Sequence, residues 1–563
     1  MTLVPSDSPA ARSPGRDLCW LTLLGVLLFG IGLGSAPLAN PDEARYAEIP
    51  REMLATGDFV TPRLDGVKYF EKPPLTYWFV AGCIGVFGEG EAAARATPAI
   101  LGTLGVLLTY AVGRRLAGRD AGWWAAIVQA TALLYFVHAR ILLTDMVVSI
   151  LMCATLYCFL LGVREPPGPR RAWLFHGLYA AAALATLAKG LIGFLLPGAV
   201  MFFWLLLFNQ WRRLRPLYLP SGLLLFAVIA VPWHVLVAQR NPGWAWFYFV
   251  HEHWLRFTTT THGRNEPVWF FIPVVLLGLF PWTGFLWSSV RAVLPASWAR
   301  RSESADQAFL LLWAGFIFLF FSASKSKLVP YMLPVFPPLA LVLGQYLAPR
   351  FSAERDKELR GGFLGFSLIG GLLGVALLAA FIRPSLLGNI ANAEAIAHFA
   401  LLAGVFLLGG AVGVFLLWRQ GSVRYALHLM FGSLAAFVAV LIIAQPAIAR
   451  PSTKDLARIV AQQVEPEDLV LHYHDYFHDF SYYGRRNVGT VAYEGELELA
   501  YDPVAVRLGL HVDEAGFREL WAGPRQVYLV LRRSELAALL AQPGFHARVL
   551  AETPKHVVLI NRL

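Results

Sequence analysis

Charged side chains are sparse in this chain. Asp, Glu, Lys and Arg make up 15% of its 563 residues, where soluble domains carry about 25%. With 57% hydrophobic residues, that shortage excludes an ordinary soluble protein and indicates a polytopic membrane protein. Cysteine is nearly missing. Cys19, Cys83, Cys153 and Cys158 all stand in apolar surroundings without metal-ligand spacing, so they read as packing residues and leave the redox compartment undecided. Catalytic fingerprints are missing as well: there is no H-E-x-x-H, no G-x-S-x-G and no P-loop. With no nucleotide site evident, an enzyme built on this chain needs an activated substrate delivered within the membrane. The net charge of +10 does not imply nucleic acid, because most Lys and Arg lie in short loops between apolar runs, where membrane topology accounts for them.

What the chain has in abundance is long apolar segments. Thirteen are expected to span, near 18–39, 91–112, 119–138, 144–163, 172–188, 190–209, 217–238, 267–289, 307–322, 330–348, 361–382, 396–418 and 423–445. Several are short for the ~20 residues a span needs. Residues 1–17 are polar, and the apolar stretch after them is long enough to favour an uncleaved first helix over a signal peptide. Residues 73–88 are short, glycine-containing and opened by Pro73 and Pro74, which suits an interfacial helix. Loop charge agrees with that choice. If 73–88 does not span, the Arg-rich segments 114–119, 164–171, 211–215, 291–301, 349–360 and 418–424 all fall on the side of the basic N-terminus. The positive-inside rule makes that side cytoplasmic. The opposite, external side then holds 40–90, 139–143, 189, 239–266, 323–329, 383–395 and everything after 446.

The chain divides at about residue 445 into a membrane domain, 1–445, and a C-terminal domain, 446–563. In the latter, charge rises and apolar runs shorten to strand length at 468–474, 487–493, 525–532, 547–552 and 556–561. Helix-like pieces lie at 454–464, 514–522 and 533–542. Strands alternating with helices predict a small soluble α/β domain, whose fold does not by itself give a function.

Chemistry concentrates on the external side. Residues 40–78 pack twelve ionisable groups, from Asp42 to Lys72, into one loop directly after the first apolar segment. Ionisable groups at a membrane edge mark substrate paths or reaction centres. Asn40 suits an N-cap and Pro41 the first helical position. Asp42 and Glu43 then fall in the first turn, where they favour the helix dipole. Arg45 and Tyr46, at i+3 and i+4, share the face of Asp42, so acid, guanidinium and phenol meet at one point. The second half of the loop supplies Tyr69, Glu71 and Lys72. Lys72 precedes two prolines, which stiffen its backbone and suit it to a phosphate. At other external ends, Asp145 opens one span and Lys189 closes another, and the two are expected to pair. The aromatic loop 239–266 carries Arg256, a candidate for bidentate phosphate recognition. Glu71 and His251 are a candidate pair for a divalent metal. Lys325 and Lys327 beside Tyr331 suggest an anionic ligand. No organic cofactor is expected.

The run PDEARYAEIPREMLATGDFV with GVKYFEKPPLTYW resembles the first external loop of the polyprenyl-phosphate-sugar transferases of GT-C fold, and most closely that of the lipid A aminoarabinose transferases, the ArnT family. The resemblance extends over the whole chain, through the KSKLVPYMLP segment to the external α/β tail. It implies a GT-C membrane domain with interfacial external helices. The donor it implies is undecaprenyl phosphate 4-amino-4-deoxy-L-arabinose, the acceptor a lipid A phosphate, and the place the periplasmic face of a bacterial inner membrane. A monomer is expected. The resemblance makes Asp42 the catalytic carboxylate with Arg45 and Lys72. Around the donor it sets Tyr46, Tyr69, Glu71, Asp145, Lys189, Arg256 and Tyr331, for a single displacement at C1 with inversion. Two other functions fit parts of the pattern. One is a protein O-mannosyltransferase using polyprenyl-phosphate mannose. The other is a lipid transporter or flippase, which ionisable residues gathered on one face disfavour.

Overall fold

The computed structural model describes residues 14–250, 266–294, 297, 301, 302, 304–352, 356–387, 392–493, 495, 497 and 511–562. Eight helices among them are long and apolar enough to cross a membrane. They are Glu91–Ala117 (α4), Thr144–Gly162 (α7), Leu219–Arg240 (α10), Ala305–Ala323, Val329–Phe351, Lys357–Ile382, Ala393–Arg419 and Val423–Ile448. The other five expected spans differ in instructive ways. Helix α1, Pro14–Gly25, runs into a π-helical turn, Val26–Gly30, and stops where Gly32 takes a positive φ of 74°. Residues 31–39 are therefore not helical. The 119–138 segment is two helices, α5 (Arg119–Thr131) and α6 (Leu133–His138), parted by the extended Ala132. The 267–289 segment is likewise broken, with Val268–Gly278 and Thr283–Val293 meeting at 103°. The two breaks dock on each other, since the Leu133 amide donates to the Phe280 carbonyl and the Trp282 indole to the Thr131 hydroxyl. Backbone groups freed inside an apolar domain find partners in this way. Helix α8, Pro169–Lys189, begins in Arg170 and Arg171, and α9, Ile192–Phe208, has only 17 residues.

Arg-rich loops converge at one end of the bundle. Asp17 accepts from Arg119 at 2.6 Å, Arg115 pairs with Glu165 at 3.1 Å, and Arg164 and Arg213 share Asp306 at 2.6 Å. Helix α3, Leu75–Phe87, is 13 residues long, as the charge argument requires of a segment that does not cross.

At the opposite end lies α2, Asp42–Thr56, a helix mostly of polar residues. Every residue from Glu43 to Met53 is buried, with the C-terminal domain packed against it. That domain is a six-stranded mixed sheet of order β5-β4-β3-β6-β8-β7. Its strands are β3 (Leu469–Tyr473), β4 (Gly489–Val491), β5 (His511–Val512), β6 (Val527–Arg532), β7 (Arg548–Glu552) and β8 (His556–Ile560). The first four are mutually parallel, β8 adds antiparallel to β6, and β7 adds antiparallel to β8. Central strands buried on both faces read as unbroken apolar runs, and alternate residues go to two cores. Leu469, Leu471, Val527, Leu529 and Leu559 pack with Phe517 and Trp521 of the helix Glu514–Ala522. Val470, Val530 and Val558 belong to one cluster with residues of the helices Lys454–Gln463 and His478–Gly484 and with Ala44, Ala47 and Ile49 of α2. Sheet and membrane-edge loop thus share one hydrophobic core.

Candidate functional site

Helix α2 stops at Gly57, whose φ of 72° lets its amide return to the Met53 carbonyl. Its start departs from expectation. The helix begins at Asp42, and Asn40 is no cap. The Asn40 amide instead grips Asp479 of the C-terminal domain, donating to its carboxylate at 2.6 Å and accepting from its backbone amide at 3.0 Å. Glu43 takes over the N-terminus, accepting from the Ala39 amide at 3.0 Å.

Asp42 is left exposed at this terminus, its side chain 55% accessible. One of its oxygens is 3.6 Å from the Arg45 guanidinium. Arg45 is buried and donates to the Tyr69 hydroxyl at 3.2 Å, while its guanidinium lies over the Tyr46 and Tyr69 rings. Tyr69 reaches this point from a two-residue hairpin, β1 (Arg63–Leu64) and β2 (Val67–Lys68). The turn residues Asp65 and Gly66 both have positive φ, 57° and 75°, the geometry Asp-Gly supplies in tight hairpins. Burial raises the Tyr46 phenol above its usual pKa, opposed by Arg45 and reinforced by the carboxylates of Glu71, Asp42 and Asp145. Three carboxylates from three segments therefore act on one phenol. Lys72 lies beside them, its ammonium donating to the Glu71 carbonyl at 2.9 Å and standing 3.6 Å from the Glu71 carboxylate.

Asp145 and Lys189 form the expected ion pair at 2.5 Å, both largely buried. The Lys189 ammonium also sits 5.1 Å over the Tyr331 ring, which joins the KSKLVPYMLP segment to the pair. Lys327 does not join them. It is buried and turned inward, donating to the Glu266 and Ser324 carbonyls at 3.0 and 2.5 Å, and Lys325 is exposed. Arg256 and His251 lie outside the described residues. Glu71, the described half of the suggested metal pair, faces the Lys72 ammonium, which competes for the same carboxylate. Among the described residues no three His, Cys, Asp or Glu side chains gather in a metal-binding group. No step below is routed through a divalent ion.

Three arrangements were not anticipated from sequence. Glu43 is a buried clamp, bidentate with Arg95 at 2.8 and 2.7 Å and accepting from the Leu142 amide at 2.9 Å. It fixes the segment that leads into Asp145 against the helix that carries Asp42. Below the site, Glu48, Glu52 and Asp65 are buried together. Arg51 answers Glu48 at 2.6 Å, and Asp65 accepts from the Val488 amide of the C-terminal domain at 2.7 Å. Burial pushes all three carboxyls up, Glu52 to about 8, with Glu48 adding to the shift on Glu52. One oxygen of Glu52 has no hydrogen-bond partner, which fits a carboxyl that keeps its proton. Finally, Arg140 is buried, bonded to the Leu28 carbonyl and to Gln445 at 2.9 Å. It lines a cavity of about 260 Å³ with Arg95, Leu441 and Ile448. Asp-Gly was a signal for the hairpin. For Arg95 and Arg140 the signal was a charge near the end of an apolar run.

Residues 33–249 match the family model described as dolichyl-phosphate-mannose-protein mannosyltransferase. A curated relative from Edwardsiella ictaluri, named undecaprenyl phosphate-alpha-4-amino-4-deoxy-L-arabinose arabinosyl transferase, is 33% identical over 345 residues. A relative of the same name from Proteus mirabilis (numbered 1) is 34% identical over 339 residues. The matched part spans 61% of this chain and 61% of the first protein, and 58% and 59% for the second. The chain is also similar to the crystal structure of ArnT from Cupriavidus metallidurans bound to undecaprenyl phosphate. There the TM-score is 0.84 at 30% identity, covering 98% of this chain and 99% of that one.

Proposed function

This chain belongs to the ArnT family of GT-C membrane glycosyltransferases, and from that premise we propose that it transfers 4-amino-4-deoxy-L-arabinose from undecaprenyl phosphate to a phosphate of lipid A. The transfer takes place on the periplasmic face of the bacterial inner membrane, with the N-terminus cytoplasmic and the C-terminal domain periplasmic. Modified lipid A carries less negative charge and so resists cationic peptides such as polymyxin. The observation that carries the proposal is the convergence of Asp42, Arg45, Tyr69 and Lys72 with the Asp145–Lys189–Tyr331 cluster at one membrane edge. The similarity to a relative bound to undecaprenyl phosphate supports it.

The chemistry follows from charge. An oxygen of the acceptor phosphate attacks C1 of the sugar as the bond from C1 to the donor phosphate oxygen breaks. Undecaprenyl phosphate leaves as a dianion, and the sugar inverts at C1. A leaving phosphate needs cations rather than a proton, and Lys72, Arg45 and Lys189 supply them. Preorganised charges of this kind usually give the largest part of catalysis. The acceptor phosphate has a second pKa near 6, so it is largely ionised at neutral pH and needs little help from a base. Asp42 would repel it. The exposed Asp42 carboxylate serves instead to hold the ammonium of the amino sugar and so fix C1 in line.

Purified protein incubated with undecaprenyl-phosphate aminoarabinose and lipid A should yield lipid A heavier by one aminoarabinose. Asp42→Asn should lose at least ~10²-fold in rate. Absence of transfer by the wild-type protein sinks the proposal, and undiminished transfer by Asp42→Asn removes that residue from the mechanism. The family match over residues 33–249 keeps a second reading, protein O-mannosylation. In that case polyprenyl-phosphate mannose is consumed and the mass appears on protein.

A further inference from the structure

A cavity of about 950 Å³ opens outside the membrane-spanning helices. It is a cleft between the start of the external loop, at Asn40 and Pro41, and the C-terminal domain. Arg450, Arg532, Arg533 and Lys555 line it against a single carboxylate, Asp475. All four cations are exposed. Asp475 engages Arg532 at 2.8 Å, Arg533 stands 3.4 Å from Glu552 outside the cleft, and Arg450 donates to the Asn40 carbonyl. The positive excess therefore survives the local pairs. His556 contributes a ring nitrogen that is buried without a hydrogen-bond partner, and Tyr476, Phe477 and Tyr493 give the cleft aromatic surface.

Two features say what such a cleft is placed to receive. Its rim includes Pro41, the residue before Asp42, so a ligand in it lies at the start of the helix that carries Asp42. Arg450 also lines the smaller cavity, whose walls include Val137, Ile141, Leu441 and Ile448. One cation thus joins a hydrocarbon-lined groove to a basic, aromatic cleft. An amphipathic molecule with acyl chains and an anionic sugar head matches both parts; a free anion matches only the second. Cationic surfaces discriminate and steer anionic partners.

We propose that this cleft is the headgroup site for the acceptor, binding a phosphorylated saccharide through Arg450, Arg532, Arg533 and Lys555, and that the C-terminal domain thereby selects acceptors by charge distant from the reacting phosphate. The proposal takes the acceptor's identity, and nothing else, from the transferase reading. The full-length protein in detergent is titrated with bisphosphorylated lipid A, with phosphate-free lipid A, with undecaprenyl phosphate and with inorganic phosphate. Arg533→Ala combined with Lys555→Ala should weaken bisphosphorylated lipid A about tenfold, the scale of lost charge-assisted contacts. The other lipids should bind as before. Lys555→Glu, at an exposed site, repeats the test if the double variant fails to fold, and Arg518→Ala on another part of the domain should have no effect. Unchanged affinity, an equal loss for phosphate-free lipid A, or competition by inorganic phosphate as effective as that by the lipid overturns the site. Charge-dependent binding without any sugar transfer upholds the cleft and discards the transferase reading. Transfer with unaltered binding by the variants does the reverse.

Discussion

Lys72 shows how far a single residue can be understood before a substrate is present. Its ammonium donates to the Glu71 carbonyl and stands 3.6 Å from the Glu71 carboxylate, contacts that fix its orientation. Lys72→Ala should lower turnover by ~10²–10³, whereas Lys72→Arg keeps the charge and should recover part of the loss. A fall of less than tenfold in Lys72→Ala, measured as sugar transferred to lipid A, would remove the residue from the site. Residue by residue, sequence reasoning succeeded where a charge had no other explanation. Asp145 and Lys189 each ended an apolar run, each needed a partner, and they found each other. It failed at Lys327, because a lysine can also satisfy itself on backbone carbonyls, and nothing in KSKLVPYMLP distinguishes the two. Asn40 misled for a related reason. A good capping residue is equally a good partner for a distant carboxylate, here Asp479.

Helix α2 is the element on which the site is hung, and Glu43 is its fastening. Sequence placed this acid beside the helix dipole, an effect worth ~0.3–1 kcal/mol. Buried, bidentate with Arg95 and bonded to the Leu142 amide, it does far more. Removing one partner of such a pair leaves a buried charge unanswered, at a cost of about 3–5 kcal/mol. Glu43→Ala should therefore lower the unfolding temperature measurably in detergent, and activity should fall with it even though Glu43 touches no reacting atom. Retention of both wild-type Tm and wild-type rate would refute the clamp. At this scale the strands and the long apolar helices were legible, because periodicity and length are local properties. The breaks at Ala132 and at Phe280–Trp282 were not: each is tolerated only because the other supplies hydrogen bonds, a fact about two segments 150 residues apart.

For the whole molecule, the decisive feature is the joint between the C-terminal sheet and the first external loop. Sequence gave no sign that the tail would cover α2, since Glu48, Glu52 and Asp65 look like solvent-facing acids. Their burial makes the joint sensitive to pH. The Glu52 carboxyl titrates near 4.5 when unfolded and at about 8 when folded. The folded state therefore holds an extra proton between those values, and stability is fully present below pH 4.5 and lost as pH rises through 8. Tm should decline across that window in the wild-type protein, and Glu52→Gln, uncharged throughout, should flatten the decline; an identical slope in both proteins would refute it. The same joint has a consequence for how the protein is made. Leu38, Asn40 and Asp65 bond to residues more than four hundred positions later. During synthesis, which proceeds from the N-terminus, the loop bearing Asp42 is made long before Val488 and the strands that follow it exist. Its buried carboxyls and the apolar face of α2 must wait, unsatisfied, for the last hundred residues. A chain cut short by a premature stop would reach the membrane with every span in place and no assembled site, so completion of the polypeptide is itself the step that arms it.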